Sequence, residues 1–182
     1  MQTLADGLRH QVQRDRARFA SMTLELPDDI NPAYFDAILR GLVGDEDDDG
    51  QKNQMFAPVA MEALVAAIRR IHELPGRPCA RSIVHAISGS SNAFLPEELL
   101  SILCEYAMQD PSPESEDWLP RVDSGAPMYG GDPLVFGMNT GRGAAAWAIS
   151  NVLFSNPTTW PKLEDAIRAI VQDQSIGVRA CG

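Results

Sequence analysis

Apolar residues recur at helical spacing along nearly the whole chain, and no stretch alternates convincingly with a period of two. The spacing predicts a first helix over about residues 3–22, with Leu4, Leu8, Val12, Phe19 and Met22 on one side and Pro27 closing it. Asn31-Pro32 opens a second helix with a capping side chain and a proline in the first turn. Tyr34, Phe35, Ile38, Leu39 and Leu42 make its buried face, and Gly44 ends it. A third helix covers about 57–73, with a stripe of Met61, Leu64, Val65, Ile68 and Ile71. Leu74-Pro75-Gly76-Arg77-Pro78 breaks the chain. A fourth helix, about 78–88, buries Cys79, Ile83, Val84 and Ile87 before a turn at Ser88–Asn92. The fifth starts at Pro96, carries Glu97 and Glu98 where acids suit the macrodipole, and turns Leu99, Leu100, Leu103 and Tyr106 inward.

Residues 110–138 interrupt this rhythm with a stretch rich in Pro, Gly, Ser and acids, which reads as a long loop insertion. Residues 133–136, Pro-Leu-Val-Phe, are too few to assign to helix or strand. A sixth helix follows at about 140–155, with Asn139 or Thr140 as cap and Ala145, Ala148, Ile149, Val152 and Leu153 among its apolar positions. A seventh runs from about Thr159 to Gln172, with Leu163, Ala166, Ile167, Ile170 and Val171 on one face. Trp147 and Trp160 fall at helical positions suited to core or inter-hairpin packing. The expectation is an all-α chain of six or seven helices forming one domain over 1–182, its helices paired as antiparallel hairpins.

Two C-terminal stretches look alike. Arg142 precedes Ala145 and Ala148-Ile149; Arg179 follows Val178, 37 residues later. The second is approached through Asp173-Gln174-Ser175-Ile176-Gly177-Val178. This resembles the HEAT repeat, in which an Asp in the turn between repeats is followed by Val-Arg opening the next helix, and the offset is slightly below the about 40–47 residues of HEAT and armadillo units. The resemblance covers about residues 139–181. It implies a HEAT-like or armadillo-like stack of hairpins in which Arg142, Asp173 and Arg179 bond from one repeat to the next, with Gly141 standing where the Val is expected. An irregular helical bundle gives the same periodicity and is the alternative. The chain stops at Cys181-Gly182 just as a new helix should begin, which looks like a cut through a longer solenoid. Gly130-Gly131-Asp132-Pro133 and the residues after it also resemble, more loosely, HEAT-like regions of large bacterial proteins that carry a separate NTPase module; no nucleotide motif accompanies them here.

Composition narrows the function. The 182 residues carry 15 Lys plus Arg against 25 Asp plus Glu, a formal charge of −10, and no basic run exceeds Arg69-Arg70. That sign opposes nucleic-acid binding and attachment to anionic membranes. No apolar run is long enough to span a bilayer, and the N-terminus lacks the apolar core of a signal peptide. Cys79, Cys104 and Cys181 are odd in number, widely spaced and form no CxxC, so neither a redox motif nor a zinc knuckle is indicated. Together these point to a soluble protein of the reducing cytoplasm.

Candidate chemistry is sparse. Asp45, Asp47, Asp49 and Gly50 fit the first half of an EF-hand loop, but the twelfth position, where a bidentate acid is needed, is Phe56; they are weak metal candidates in a solvated acidic loop. His10, His72 and His85 form no metal pair. His85 with Ser82 lacks an orienting acid and an oxyanion hole. Gly137, Gly141 and Gly143 beside Arg142 would allow an anion at a helix N-terminus, or close helix packing. Trp118, Tyr129 and Phe136 in the insertion are candidate partner anchors, or tuck the loop onto the helices. No cofactor is implied. The expected function is a protein–protein interaction or scaffold module without catalysis, its acidic balance favouring a basic partner. The alternatives are an enzyme with its site around 110–143 and a structural spacer of a larger bacterial protein.

Overall fold

The computed structural model describes residues 2–44, 58–90, 95–114 and 128–182. Among them are ten α-helices and no strand, so the chain is all-α. They gather into two compact units, 1–90 and 91–182. No helix among the described residues is long and apolar enough to cross a membrane.

In the first unit α1 (Gln2–Arg14) and α2 (Arg16–Thr23) replace the single helix expected over 3–22. Asp15 makes the break: its side chain accepts the Arg18 N–H at 3.3 Å, capping α2. A short acid that can bond the backbone locally favours a cap over a helix interior. In α3 (Pro32–Val43), Asn31 Oδ1 accepts the Ala33 N–H at 2.9 Å, as the Asn-Pro pair predicts. The remaining helices are α4 (Met61–His72) and α5 (Ala80–Ser90). The helix α3 packs against α1 on one side and α5 on the other, while α2 lies against α4. Phe35, Ile38, Leu39, Ile68, Ile71, Ile83 and Ile87 are wholly buried between them. Arg70 ties the α2–α3 connection to α4 by donating to the Leu26 carbonyl at 2.7 Å and pairing with Asp28.

The second unit holds α6 (Glu97–Gln109), α7 (Pro133–Met138), α8 (Gly141–Ser155), α9 (Trp160–Val171) and α10 (Ile176–Cys181). The stretch 133–136 is the start of α7. Asp132 caps it, accepting from the Leu134 and Val135 N–H groups, and Pro133 occupies its first position. The helix α8 is central: α6, α7, α9 and α10 all pack on it. Its start is drawn very close to α7, where a Cβ at Gly143 would overlap the backbone of Gly137. Tyr106, Leu99, Leu103, Ile149, Leu163 and Val178 form the core of this unit.

Candidate functional site

The sequence directs attention to the start of α8, and there the structure gathers polar groups from three turns. Arg142 extends along the helix end with side-chain exposure of 15%. Its Nε donates to Asp173 Oδ2 at 2.8 Å and its Nη2 to Asp173 Oδ1 at 3.4 Å. Nη1 donates to the Asp110 carbonyl at 2.6 Å, and Nη2 also to the Pro113 carbonyl at 2.5 Å. Four of the five guanidinium N–H groups are thereby engaged. Asp110 is the residue following α6, and Asp173 lies between α9 and α10. One side chain therefore joins the ends of two helices.

The two aspartates sit in turns of the same design. Asp110 Oδ1 accepts the Ser112 N–H at 2.9 Å, and Asp173 Oδ1 accepts the Ser175 N–H at 2.8 Å. Both are Asx turns, in which the carboxylate bonds the backbone two residues on. In each case an arginine donates through Nη1 to the backbone carbonyl of the aspartate: Arg142 to Asp110, Arg179 to Asp173. The serine carbonyl in each turn accepts the N–H of that same arginine, Ser112 from Arg142 at 2.9 Å and Ser175 from Arg179 at 3.2 Å. The differing feature is the separation along the chain, six residues from Asp173 to Arg179 but 32 from Asp110 to Arg142. The insertion and α7 thus leave and re-enter at a turn that is otherwise repeated. Gly141 stands in place of Val178 because the Asp110 carboxylate lies where its Cβ would be.

Asp110 has no partner assigned by the repeat pattern; its one signal in the sequence is that Asp110-Pro111-Ser112 mirrors Asp173-Gln174-Ser175. Its carboxylate, together with the Ser112 carbonyl and Thr140 Oγ1, occupies the start of α8: Thr140 Oγ1 accepts the Gly143 N–H at 3.2 Å and donates to the Gly137 carbonyl at 2.7 Å. The helix N-terminus is filled from within the chain, and the glycines serve close packing.

Elsewhere the candidates separate. Phe136 is 2% exposed, its ring 6.4 Å from that of Tyr129, so it packs inside the unit rather than facing a partner. Tyr129 is on the surface. Trp118 and the acids Asp45, Asp47 and Asp49 lie outside the described residues. Ser82 donates to Asp36, an acid that also pairs with Arg40 at 3.0 Å, and His85 is exposed. Among the described residues no three His, Cys, Asp or Glu side chains gather to hold a metal ion. The three thiols are free. Burial pushes Cys79 up to about 12, the nearby Asp36 charge adding to it, and burial pushes Cys181 up to about 11. Neither is a ready nucleophile.

Comparison with protein-family models, curated proteins and solved structures finds no match to this chain.

The surface of the second unit differs from expectation. Trp147 and Trp160 are not sealed in a core; they are 39% and 48% exposed, and Phe154 is 91% exposed. Trp147 and Phe154 are seven residues apart on α8 and share one face. Arg142, turned to the helix ends, is the one charged residue of α8, so its outward face carries aromatic rings and Asn151 without any charge.

Proposed function

We propose that the chain is a protein-interaction module of helical-repeat type, without catalysis of its own, and that residues 91–182 carry the binding surface. The observation behind this reading is the outward face of α8. A helix that is apolar on nearly every side is normally covered on every side, yet Trp147 and Phe154 stand in solvent. Large aromatic side chains held on a rigid helix make anchors for a partner at low entropic cost.

A HEAT-like stack suits the packing within each unit. Several helices two apart in sequence lie side by side, α1 with α3, α3 with α5, α6 with α8 and α8 with α10, as in stacked hairpins, while α7 packs on α10 and α6 also on α9. The duplicated Asp-x-Ser turn with its arginine is the kind of inter-repeat link the family uses. Three free thiols suit a reducing compartment. The competing enzyme reading sets its site around 110–143; among the described residues there, Arg142, Asp110 and Thr140 are bonded to one another's turns and to Asp173, which favours a structural role for them.

The test is site-specific photo-crosslinking in the source cells, with a benzophenone side chain in place of Phe154. A discrete adduct is expected whose other component, purified, binds the purified chain saturably. Absence of any adduct from positions 154 and 147 alike, in correctly folded protein, contradicts the reading.

A further inference from the structure

The exposed side chains of α8 fall in an order that is nearly symmetric about a point on the helix. Trp147, Asn151 and Phe154 follow one another at spacings of four and three residues and make a single stripe. The two aromatic residues lie roughly 10 Å apart along the helix, and Asn151 sits beside the midpoint between them. Phe154 stands in solvent at 91% exposure, and Trp147 is uncovered over 39% of its surface. Ser150 bounds the stripe, its hydroxyl donating to the Cys181 carbonyl of α10 at 3.3 Å.

Such an order is complementary to itself. A twofold axis perpendicular to α8 beside Asn151 lays a second α8 antiparallel across the first. It sets Trp147 of one copy against Phe154 of the other, twice, at the separation where aromatic rings attract beyond their buried area. The two Asn151 side chains then meet near the axis. A carboxamide carries both donors and an acceptor, so it pairs with its own counterpart, and one such residue in a helix–helix seam fixes the register.

Charge and area point to the same occupant. The chain carries a formal charge of −10, so two copies repel at long range. The outward face of α8 has no charge, because Arg142 is committed to Asp173 and the Asp110 carbonyl. Contact there brings no like charges together and offers a charged partner nothing to pair with. At the exposures given, Trp147 and Phe154 present roughly 300 Å² of aromatic surface per copy. That is about a third of the ~800 Å² per partner in an interface of standard size, enough for the centre of a small, reversible one.

We propose that the outward face of α8 is the contact between two copies of this chain, paired antiparallel about a twofold axis at Asn151. The proposal deepens the interaction reading and rests on it: the partner is a second copy.

Sedimentation equilibrium of the full chain tests it. A reversible monomer–dimer equilibrium is expected, with a dissociation constant on the order of micromolar. Phe154→Asp sets a carboxylate against Trp147 of the other copy, and Asn151→Asp sets two carboxylates against each other at the axis; each should weaken the dimer at least roughly tenfold. Leu4→Asp adds the same charge at another exposed apolar position, on α1, and should change it by less than about twofold. Raising the salt concentration to the physiological level should tighten the dimer by screening the repulsion between the two acidic chains. Circular dichroism confirms that each variant is folded; should either α8 variant not fold, Phe154→Ser replaces it. A chain that stays monomeric at every concentration, a dimer that resists both α8 variants, an equal loss in Leu4→Asp, or a dimer that salt loosens overturns the proposal. A monomeric chain that is nevertheless cross-linked from Phe154 to a different protein keeps the interaction reading and removes only the second copy.

Discussion

Arg142 and Asp173 lie 31 residues apart and meet through both carboxylate oxygens, Nε to Oδ2 at 2.8 Å and Nη2 to Oδ1 at 3.4 Å. With exposures of 15% and 11%, neither charge is fully hydrated. Asp173→Ala leaves a partly buried guanidinium with carbonyl partners only, and should cost about 2–4 kcal/mol, near the lower range for breaking a buried pair. Arg142→Ala combined with Asp173→Ala should cost less than the two singles added, by about 1–3 kcal/mol of coupling. Tryptophan fluorescence during urea unfolding reads this selectively, because Trp118, Trp147 and Trp160 all belong to residues 91–182. Additive single effects would mean that the pair does not act as a unit.

Two helical glycines, Gly143 and Gly7, differ in the space around them. A Cβ at Gly143 would overlap the Gly137 backbone, whereas one at Gly7 in α1 meets nothing within 4 Å. Gly143→Ala should destabilise by about 1–3 kcal/mol through overpacking. Gly7→Ala should stabilise by about 0.5–1 kcal/mol, the helix-interior preference of alanine. Calorimetric melting of both variants decides it; a neutral Gly143→Ala would show that α7 and α8 are free to move apart.

Alkaline pH should weaken the fold through its buried thiols. The ordinary thiol value is 9.0, and the folded protein raises Cys79 to about 12 and Cys181 to about 11. A raised value means that the unfolded chain loses its proton first, so the stabilising contribution is complete below about pH 9 and declines as pH rises toward 11–12. Urea midpoints measured across that interval should fall, and iodoacetamide should modify Cys79 and Cys181 only as unfolding sets in. Rapid alkylation of either residue in fully folded protein at pH 8 would refute this placement.

Much of the fold is legible in the sequence because α3, α4, α5, α6, α8 and α9 each span three or more turns, long enough for a 3.6-residue period to stand out. Six-residue α7 is not, since Pro-Leu-Val-Phe fits either a helix or a strand at that length. The break at Asp15 depends on one side chain choosing a cap over an uninterrupted apolar stripe that crosses it. At the candidate site Arg142, Asp173 and Arg179 are legible from the repeated approach to each arginine. Asp110 is hidden because the insertion parts it from its arginine, so that the shared turn is visible only when both copies are folded. The exposure of Trp147 and Phe154 follows from which neighbours cover α8, and helical periodicity cannot supply that.

The polar cluster at the start of α8 bonds within itself, and on the proposed function the partner surface lies outside it. Urea unfolding of the native chain and of Arg142→Ala, each with and without millimolar inorganic phosphate, tests this directly. Arg142→Ala should lose about 2–4 kcal/mol, because it strands the Asp173 carboxylate and two turn carbonyls. Phosphate should leave both midpoints unchanged. A variant as stable as the native chain, together with a native midpoint that climbs with phosphate concentration as ligand linkage requires, would contradict it and make Arg142 a binding residue.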